Sequence, residues 1–255
     1  NNLGQISKIR YLDQAGKTDE AIQLFISSLG NKNIDYGTRL LIFMNFLENR
    51  QTMRDHTTLL KKSLDSLSAH YPGKSENHTL YADFYIKTNQ YQKAIEELKI
   101  LVNTPEEKYL FWDQLVSLYS ITRNFEKMYE TGETALKKYD SKPRLYLLTA
   151  MGAIQTNKEK EAIELLKKGL VYIGSNQQLL VDFYTQLAEA YNEIKDFSKS
   201  DYYFEKVLNL QPNNILVLNN YSYYLSVRGE NLDRALRMSK KTIEKEPRSS
   251  IYLDT

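Results

Sequence analysis

Residues 181–214 read VDFYTQLAEAYNEIKDFSKSDYYFEKVLNLQPNN, and they contain two apolar stripes separated by one short polar turn. Within each stripe, apolar residues recur at i, i+3, i+4 and i+7, which is the spacing of one helix face. The turn is Glu193-Ile-Lys-Asp196, and Pro212 stands near the end of the second stripe. The segment therefore predicts a helical hairpin, with two helices joined by a tight turn.

The same arrangement returns along the chain at a nearly fixed interval. Successive prolines are separated by 33, 38, 69 and 35 residues, so a unit of about 34 to 35 residues fits if 69 counts as two units. A fixed period of roughly 20 to 50 residues is typical of solenoid proteins. Short polar turns divide the intervals into helix pairs, at 87–90, 122–124, 156–158, 193–196 and 228–231. A hairpin is too thin to bury its own apolar faces, so each must pack on its neighbours.

The residues around these turns share a pattern. Directly after the turns stand Tyr91-Gln-Lys-Ala94, Phe125-Glu-Lys-Met128, Glu159-Lys-Glu-Ala162, Phe197-Ser-Lys-Ser200 and Leu232-Asp-Arg-Ala235. Twelve or thirteen positions before the end of each stretch lie mostly small residues, as a close helix crossing requires: Ala82, Val116, Ala150, Ala188 and Ser222. Large apolar residues follow in the second helices at Leu98, Leu166 and Phe204. Together these residues resemble the tetratricopeptide repeat, of bacterial type, although Met128, Gly132 and Ser200 depart from the family pattern.

The resemblance implies an all-α fold, a right-handed superhelix or α-solenoid of antiparallel helical hairpins. Residues 75–249 are predicted to form five repeats, at about 75–108, 109–142, 143–180, 181–214 and 215–249. The segment Ile251-Tyr-Leu-Asp-Thr255 resembles the opening of a further repeat, which implies that the protein continues beyond Thr255. The chain begins Asn-Asn-Leu-Gly without an initiator Met, so we expect a processed or cut piece.

Residues 1–74 fit the pattern less well. The stretch from Tyr11 to Phe25 reads like the turn and second helix of a hairpin, with Ala21 in the small-residue place. A second hairpin is predicted from an apolar helix near 36–47 and one longer helix near 53–71. We interpret the segment as two divergent repeats, and the alternative is a separate helical cap at the end of the solenoid.

Composition excludes several classes of function. The 255 residues include 34 Lys and Arg against 32 Asp and Glu, and the net charge of +2 creates no overall field that would attract nucleic acid. No apolar run approaches the ~20 residues of a transmembrane helix. The chain has no Cys, so it forms no disulfide and leaves the compartment undetermined. We slightly favour an exported or periplasmic bacterial protein over a cytoplasmic one.

Signatures of catalysis, cofactors and metals are absent from the sequence. His56, His70 and His78 are far apart, and none has a second ligand at the i+4 spacing of a helical metal site. Gly169 and Gly174 have the separation of a phosphate-loop pair, but no Lys-Ser/Thr follows them. We therefore predict a protein that is not an enzyme and takes no cofactor.

Tyrosine is unusually common, with 20 residues. Five of them fall on packing positions of the repeat and are predicted to lie in the core: Tyr85, Tyr119, Tyr146, Tyr184 and Tyr191. The run Tyr221-Ser-Tyr-Tyr224 differs, because three rings this close on one helix cannot all point inward. At least one of them should face a groove or solvent.

The family resemblance also assigns a ligand-binding surface. In tetratricopeptide repeats the first helices line a concave groove, whose residues in this chain would be Thr79, Asp83, Lys87, Asp113, Ser117, Leu147, Met151, Thr185, Glu189, Asn192, Asn219 and Tyr223. Further groove positions are occupied by Leu110, Ser120, Arg144, Gln155, Asp182 and Ser226. The Lys and Asn with which some family members grip a carboxylate tail are missing at the equivalent positions.

These features predict a non-enzymatic scaffold that binds a protein or peptide partner in the groove. Leu147 and Met151 supply an apolar section, and Asp83, Asp113 and Glu189 favour a neutral or basic segment, since like charges repel in a partly enclosed groove. One alternative is a spacer or self-association module, which would form a homo-oligomer. Another is the accessory arm of a larger enzyme.

Overall fold

The computed structural model describes residues 2–245, and within them the chain is all-α, as predicted. The part of repeat five beyond Lys245 and the predicted further repeat at 250–255 lie outside the described residues. The fifteen helices of the described chain are α1 Asn2–Gln14, α2 Thr18–Ser28, α3 Tyr36–Glu48, α4 Arg50–Asp55, α5 Thr57–His70, α6 Ser75–Lys87, α7 Tyr91–Leu101, α8 Tyr109–Ile121, α9 Phe125–Leu136, α10 Pro143–Ile154, α11 Glu159–Leu170, α12 Gln177–Glu193, α13 Phe197–Leu210, α14 Ile215–Arg228 and α15 Leu232–Lys245.

The helices form two compact units, which divide within α8, between Leu118 and Tyr119. In the first unit α1 packs on α2 and α6 packs on α7, while α5 lies against both α2 and α6. In the second unit each helix from α9 to α15 packs on the next one in the chain, and α10 also lies against α12. This order of packing is that of stacked hairpins, because neighbours in sequence are neighbours in space.

The second helices begin where the sequence predicts them, at Tyr91, Phe125, Glu159, Phe197 and Leu232. The preceding turns share one backbone hydrogen bond, from an N–H to the carbonyl oxygen five residues earlier: Gln90 to Tyr85, Asn124 to Tyr119, Lys158 to Ala153, Asp196 to Tyr191 and Glu230 to Leu225, at 2.8 to 2.9 Å. Each turn also contains a left-handed residue, namely Asn89, Arg123, Asn157, Lys195 and, in the longer fifth turn, Gly229. This is the Schellman ending of a helix, which satisfies carbonyl groups that the last turn leaves open.

Small residues hold the two helices of a hairpin close together. The predicted crossing positions Ala82, Val116, Ala150, Ala188 and Ser222 are all at most 3% exposed. In the second helices Ala94, Ala162 and Ser200 are fully buried as well. The prediction of small side chains at a buried crossing is confirmed.

The tyrosine predictions are also confirmed, with one qualification. Four of the five predicted core residues are buried, Tyr85, Tyr119, Tyr146 and Tyr191, whereas Tyr184 is half-buried. Within the run on α14, Tyr221 is buried and Tyr223 is 50% exposed, so the rings do divide between core and surface.

The predicted long helix near 53–71 is wrong, because it is two helices. α4 ends at Asp55, and His56 leaves helical geometry with φ −123° and ψ 22° before α5 begins. The His56 ring lies 2.6 Å from Asp19 of α2, Nδ1 to Oδ1. This contact reaches across to the first hairpin, so the break coincides with a tertiary contact that local helical spacing does not reveal.

A buried arginine closes the end of α2. Arg39 of α3 is 1% exposed, and its Nη2 donates to the carbonyl oxygens of Ser28 at 3.1 Å and Asn31 at 2.6 Å. Its guanidinium also lies 5.2 Å from the ring centre of Tyr71. Ser28 is the last residue of α2 and Asn31 lies in the following loop, so one charged donor joins the end of the helix to that loop.

Two glycines allow an unusually close approach of α9 and α10. A Cβ added at Gly132 would lie 2.1 Å from Thr149 Oγ1, and one added at Gly152 would lie 2.9 Å from the backbone nitrogen of Tyr129. This explains the departure from the family pattern at Gly132, where the matching residues Leu98 and Leu166 are large. The space that a large side chain would fill is taken by Thr149.

A large residue at position 132 should therefore destabilise the folded protein. We predict that Gly132→Leu lowers the free energy of unfolding by at least about 1–3 kcal/mol, the usual cost of overpacking a core. Urea denaturation monitored by circular dichroism would measure the effect. Gly30→Ala is the matched control, since nothing lies within 4 Å of an added Cβ there. An unchanged unfolding midpoint for Gly132→Leu would contradict the close approach.

Candidate peptide-binding groove

The predicted groove residues differ in how far they are exposed. In the first unit Thr79 is exposed, and Asp83, Asp113 and Ser117 are half-buried. In the second unit Tyr223 is exposed, Met151, Glu189 and Asn192 are half-buried, and Leu147, Thr185 and Asn219 are buried at 7 to 8% exposure. The last three side chains therefore offer little surface to a ligand.

Lys87, the predicted basic residue of the groove, is held by two carboxylates. Its Nζ lies 2.8 Å from Glu48 Oε1 and 2.9 Å from Asp83 Oδ2. Partial burial opposes its charge, but the hydrogen bonds and the charges of these two carboxylates outweigh burial and raise the pKa of Lys87. The Asp83 carboxylate is therefore already paired with the Lys87 ammonium group.

Asp113, the other predicted acid of the first unit, also has an internal partner. The hydroxyl of Tyr109 donates to Asp113 Oδ1 at 3.0 Å, one turn earlier on α8. Asp83 and Asp113 thus each bind a side chain of their own helix, which reduces the attraction that either carboxylate could offer to a basic ligand.

A cavity of about 510 Å³ in the second unit brings several of the predicted residues together. Met151 and Gln155 reach it from α10 and Glu189 from α12, while Ser120 reaches it from the end of α8. We call this the Glu189 cavity; its full lining is Ser120, Ile121, Arg123, Phe125, Met128, Met151, Ile154, Gln155, Gln186 and Glu189. The predicted residues Leu147, Thr185, Asn192, Asn219 and Tyr223 do not line it.

Glu189 is the chemically distinctive group of this cavity. Its Oε1 accepts a hydrogen bond from Asn220 Nδ2 at 3.0 Å, and its Oε2 accepts one from Gln186 Nε2 at 3.1 Å. Burial raises the pKa of Glu189, the two amide hydrogen bonds act in the opposite direction, and the nearby charge of Glu193 adds to the rise. Among the described residues, no Lys or Arg shifts the pKa of Glu189.

The amide partners were not among the residues predicted from sequence. Gln186 and Asn220 are 34 residues apart, so they occupy the same place in two successive repeats. That spacing is the signal that could have identified them. It puts one donor on the helix of Glu189 and the other on the next first helix, so the carboxylate is held between α12 and α14.

The histidines lie in three separate environments. His56 lies beside Asp19, His78 Nδ1 lies 2.7 Å from Glu97 Oε2, and His70 Nδ1 lies 2.8 Å from the carbonyl oxygen of Ser66. Within residues 2–245 no three His, Asp or Glu side chains are grouped as metal ligands. No helix in that part of the chain combines the length and the hydrophobicity needed to cross a bilayer.

The burial of Glu189 predicts a specific pH dependence of stability. Because its pKa is raised in the folded state, the folded protein binds this proton more tightly than the unfolded chain. The contribution of Glu189 to stability is fully present below its unfolded pKa and is lost as the pH rises through its folded pKa. Glu189→Gln removes that loss, so we expect the variant to gain stability relative to wild type as the pH rises from about 4 to about 7.

Urea denaturation of both proteins across this pH range would check the expectation. The relevant quantity is the difference in unfolding free energy between variant and wild type. The amide that replaces the carboxylate makes contacts that do not titrate, so they add only a constant offset to this difference. A difference that does not change with pH would mean that the carboxylate is as well solvated as in the unfolded chain.

Comparison with known proteins supports the repeat assignment. A family model for the tetratricopeptide repeat matches residues 181–214, the same residues as the fourth predicted repeat. No curated protein matches the sequence.

Solved structures resemble 65 to 98% of the chain in fold. The C-terminal part of a TPR repeat-containing protein from Cytophaga hutchinsonii is 15% identical with a TM-score of 0.66, covering 98% of each chain. PilF of Pseudomonas aeruginosa is 14% identical with a TM-score of 0.60, covering 86% of this chain and 95% of PilF. A crystal structure of MamA is 17% identical with a TM-score of 0.58, covering 65% of this chain and 94% of MamA. The recognition of the repeat is therefore confirmed: residues 181–214 are a tetratricopeptide repeat, and the chain is a protein of tetratricopeptide-repeat fold.

Proposed function

We propose that this protein is a non-enzymatic scaffold that binds a segment of a partner protein along the first helices of its second unit. Proteins with tetratricopeptide repeats generally mediate protein–protein interaction and are generally not enzymes. The observation that carries the proposal is the Glu189 cavity, in which Met151 of α10 and Glu189 of α12 line one recess. Ligand sites are typically concave and mostly apolar, with a few polar groups that fix orientation.

The lining of the cavity favours a neutral or basic segment. Met151 and Ile154 are half-buried and offer apolar surface, and Met adapts its shape to different partners. Glu189 places negative charge in the recess, which disfavours an acidic segment. In the first unit Lys87 is already bonded to two carboxylates, so a carboxylate tail would have to displace an internal partner there.

A peptide selection tests the proposal while the partner is still unidentified. Wild-type protein is presented to a library of random peptides, and the dissociation constants of the enriched peptides are measured by fluorescence anisotropy. Gln155 is exposed on the cavity wall. We expect the substitution Gln155→Trp to weaken peptide binding at least about tenfold, because the indole fills the recess. Val171→Arg is the matched control, since Val171 is 80% exposed at the end of the second helix α11 and lies outside the cavity.

The binding results are interpreted only for variants that fold like wild type. Far-UV circular dichroism and thermal melts establish that both variants fold like wild type. Failure to enrich any peptide, or equal binding by Gln155→Trp and wild type, would contradict the proposed function.

A further inference from the structure

We propose that the Glu189 cavity binds a single Lys or Arg side chain of the partner, with the Glu189 carboxylate as its counter-ion. The inference rests on the proposed function, because it specifies the chemistry of the residue that enters the same recess. It follows from the hydrogen bonding of Glu189, from the apolar wall beside it and from the charges around it.

The carboxylate has unused capacity for hydrogen bonds. An ionised carboxylate offers about four acceptor sites, and Asn220 and Gln186 each occupy one. Both partners are neutral amides, so they hold the carboxylate in place without neutralising it. Removing part of a charge from water is costly unless the charge is paired, and a cation brought by the ligand would pair it.

The cavity wall suits the aliphatic part of a basic side chain. Met151 and Ile154 of α10 lie on the same recess as Glu189, and Ile121 at the end of α8 is 57% exposed on it. Lys and Arg cover apolar surface with their methylene groups while the charged end reaches a polar partner. A neutral apolar side chain would use this wall but would leave Glu189 without a counter-ion.

The charges around the cavity agree with a cationic guest. Glu193, one turn beyond Glu189, adds negative charge near the recess, and its charge adds to the rise that burial causes in the pKa of Glu189. Arg123 is the one cation in the cavity lining, and it is exposed, so water and salt screen its field more than that of the half-buried Glu189 carboxylate. A volume of about 510 Å³ holds a Lys or Arg side chain together with part of the flanking peptide.

The test compares two side chains in two proteins. A peptide enriched on the wild-type protein is synthesised with Lys and with norleucine at its basic position, because norleucine keeps the aliphatic stem and lacks the charge. We expect the enriched sequences to share one Lys or Arg position, and the Lys peptide to bind wild type at least about tenfold more tightly than the norleucine peptide. In Glu189→Gln this ratio should fall to about one, while the norleucine peptide still binds, which establishes that the cavity is intact.

Asp182→Asn is the matched control. Asp182 lies two turns earlier on α12, is half-buried and accepts from Gln178 Nε2 at 2.9 Å, but it does not line the cavity. We expect this variant to keep the wild-type ratio of the two peptides.

The two proposals fail in different ways. If no peptide is enriched, the proposed function is wrong. If peptides bind at the cavity without a shared basic position, or if the Lys to norleucine ratio is the same in Glu189→Gln as in wild type, the binding function stands and the cationic guest is overturned.

Discussion

The close crossing of paired helices is the constraint on which the rest of this structure depends. A hairpin of two helices cannot bury its own apolar faces, so its stability comes from packing against the next hairpin. Within each hairpin the two backbones must also approach closely, and Ala82, Ala150 and Ala188 leave almost no side chain in the way. Between α9 and α10 the approach is closer still, and only glycine fits at positions 132 and 152.

The same stacking determines which groups can meet a ligand. First helices of successive repeats lie side by side, as α10 and α12 do, and side chains from both line one recess. Glu189 is held there by amides at equivalent positions of its own repeat and the next. The recess therefore combines an apolar wall with a half-buried carboxylate that gives it a charge preference.

Much of the fold could be predicted from the sequence because the repeat is a local pattern. The polar turns and the residues after them locate the starts of the second helices, at Tyr91, Phe125 and their equivalents, to the residue. Features that depend on distant partners could not be predicted in this way. The buried Arg39 donates to the carbonyl oxygens of Ser28 at the end of α2 and of Asn31 in the next loop, and the break at His56 accompanies a contact with Asp19.

The candidate site was only partly predictable for the same reason. The position of each residue in the repeat assigns Met151 and Glu189 to one predicted groove, and both line the Glu189 cavity, but it gives no account of how neighbouring helices cover Leu147, Thr185 and Asn219. Nor does it reveal that Asp83 is paired with Lys87 while Glu189 accepts its hydrogen bonds from neutral amides. Pairing of this kind depends on the side chains actually present at each position, which differ from repeat to repeat.

The central claim is that the Glu189 carboxylate lies largely out of water between α12 and α14. Carbon-13 NMR of the glutamate side-chain carboxyl groups, followed against pH and assigned with Glu189→Gln, measures this directly. The account predicts that the resonance absent from the variant titrates above the usual range of glutamate. Titration at or below that range would contradict it.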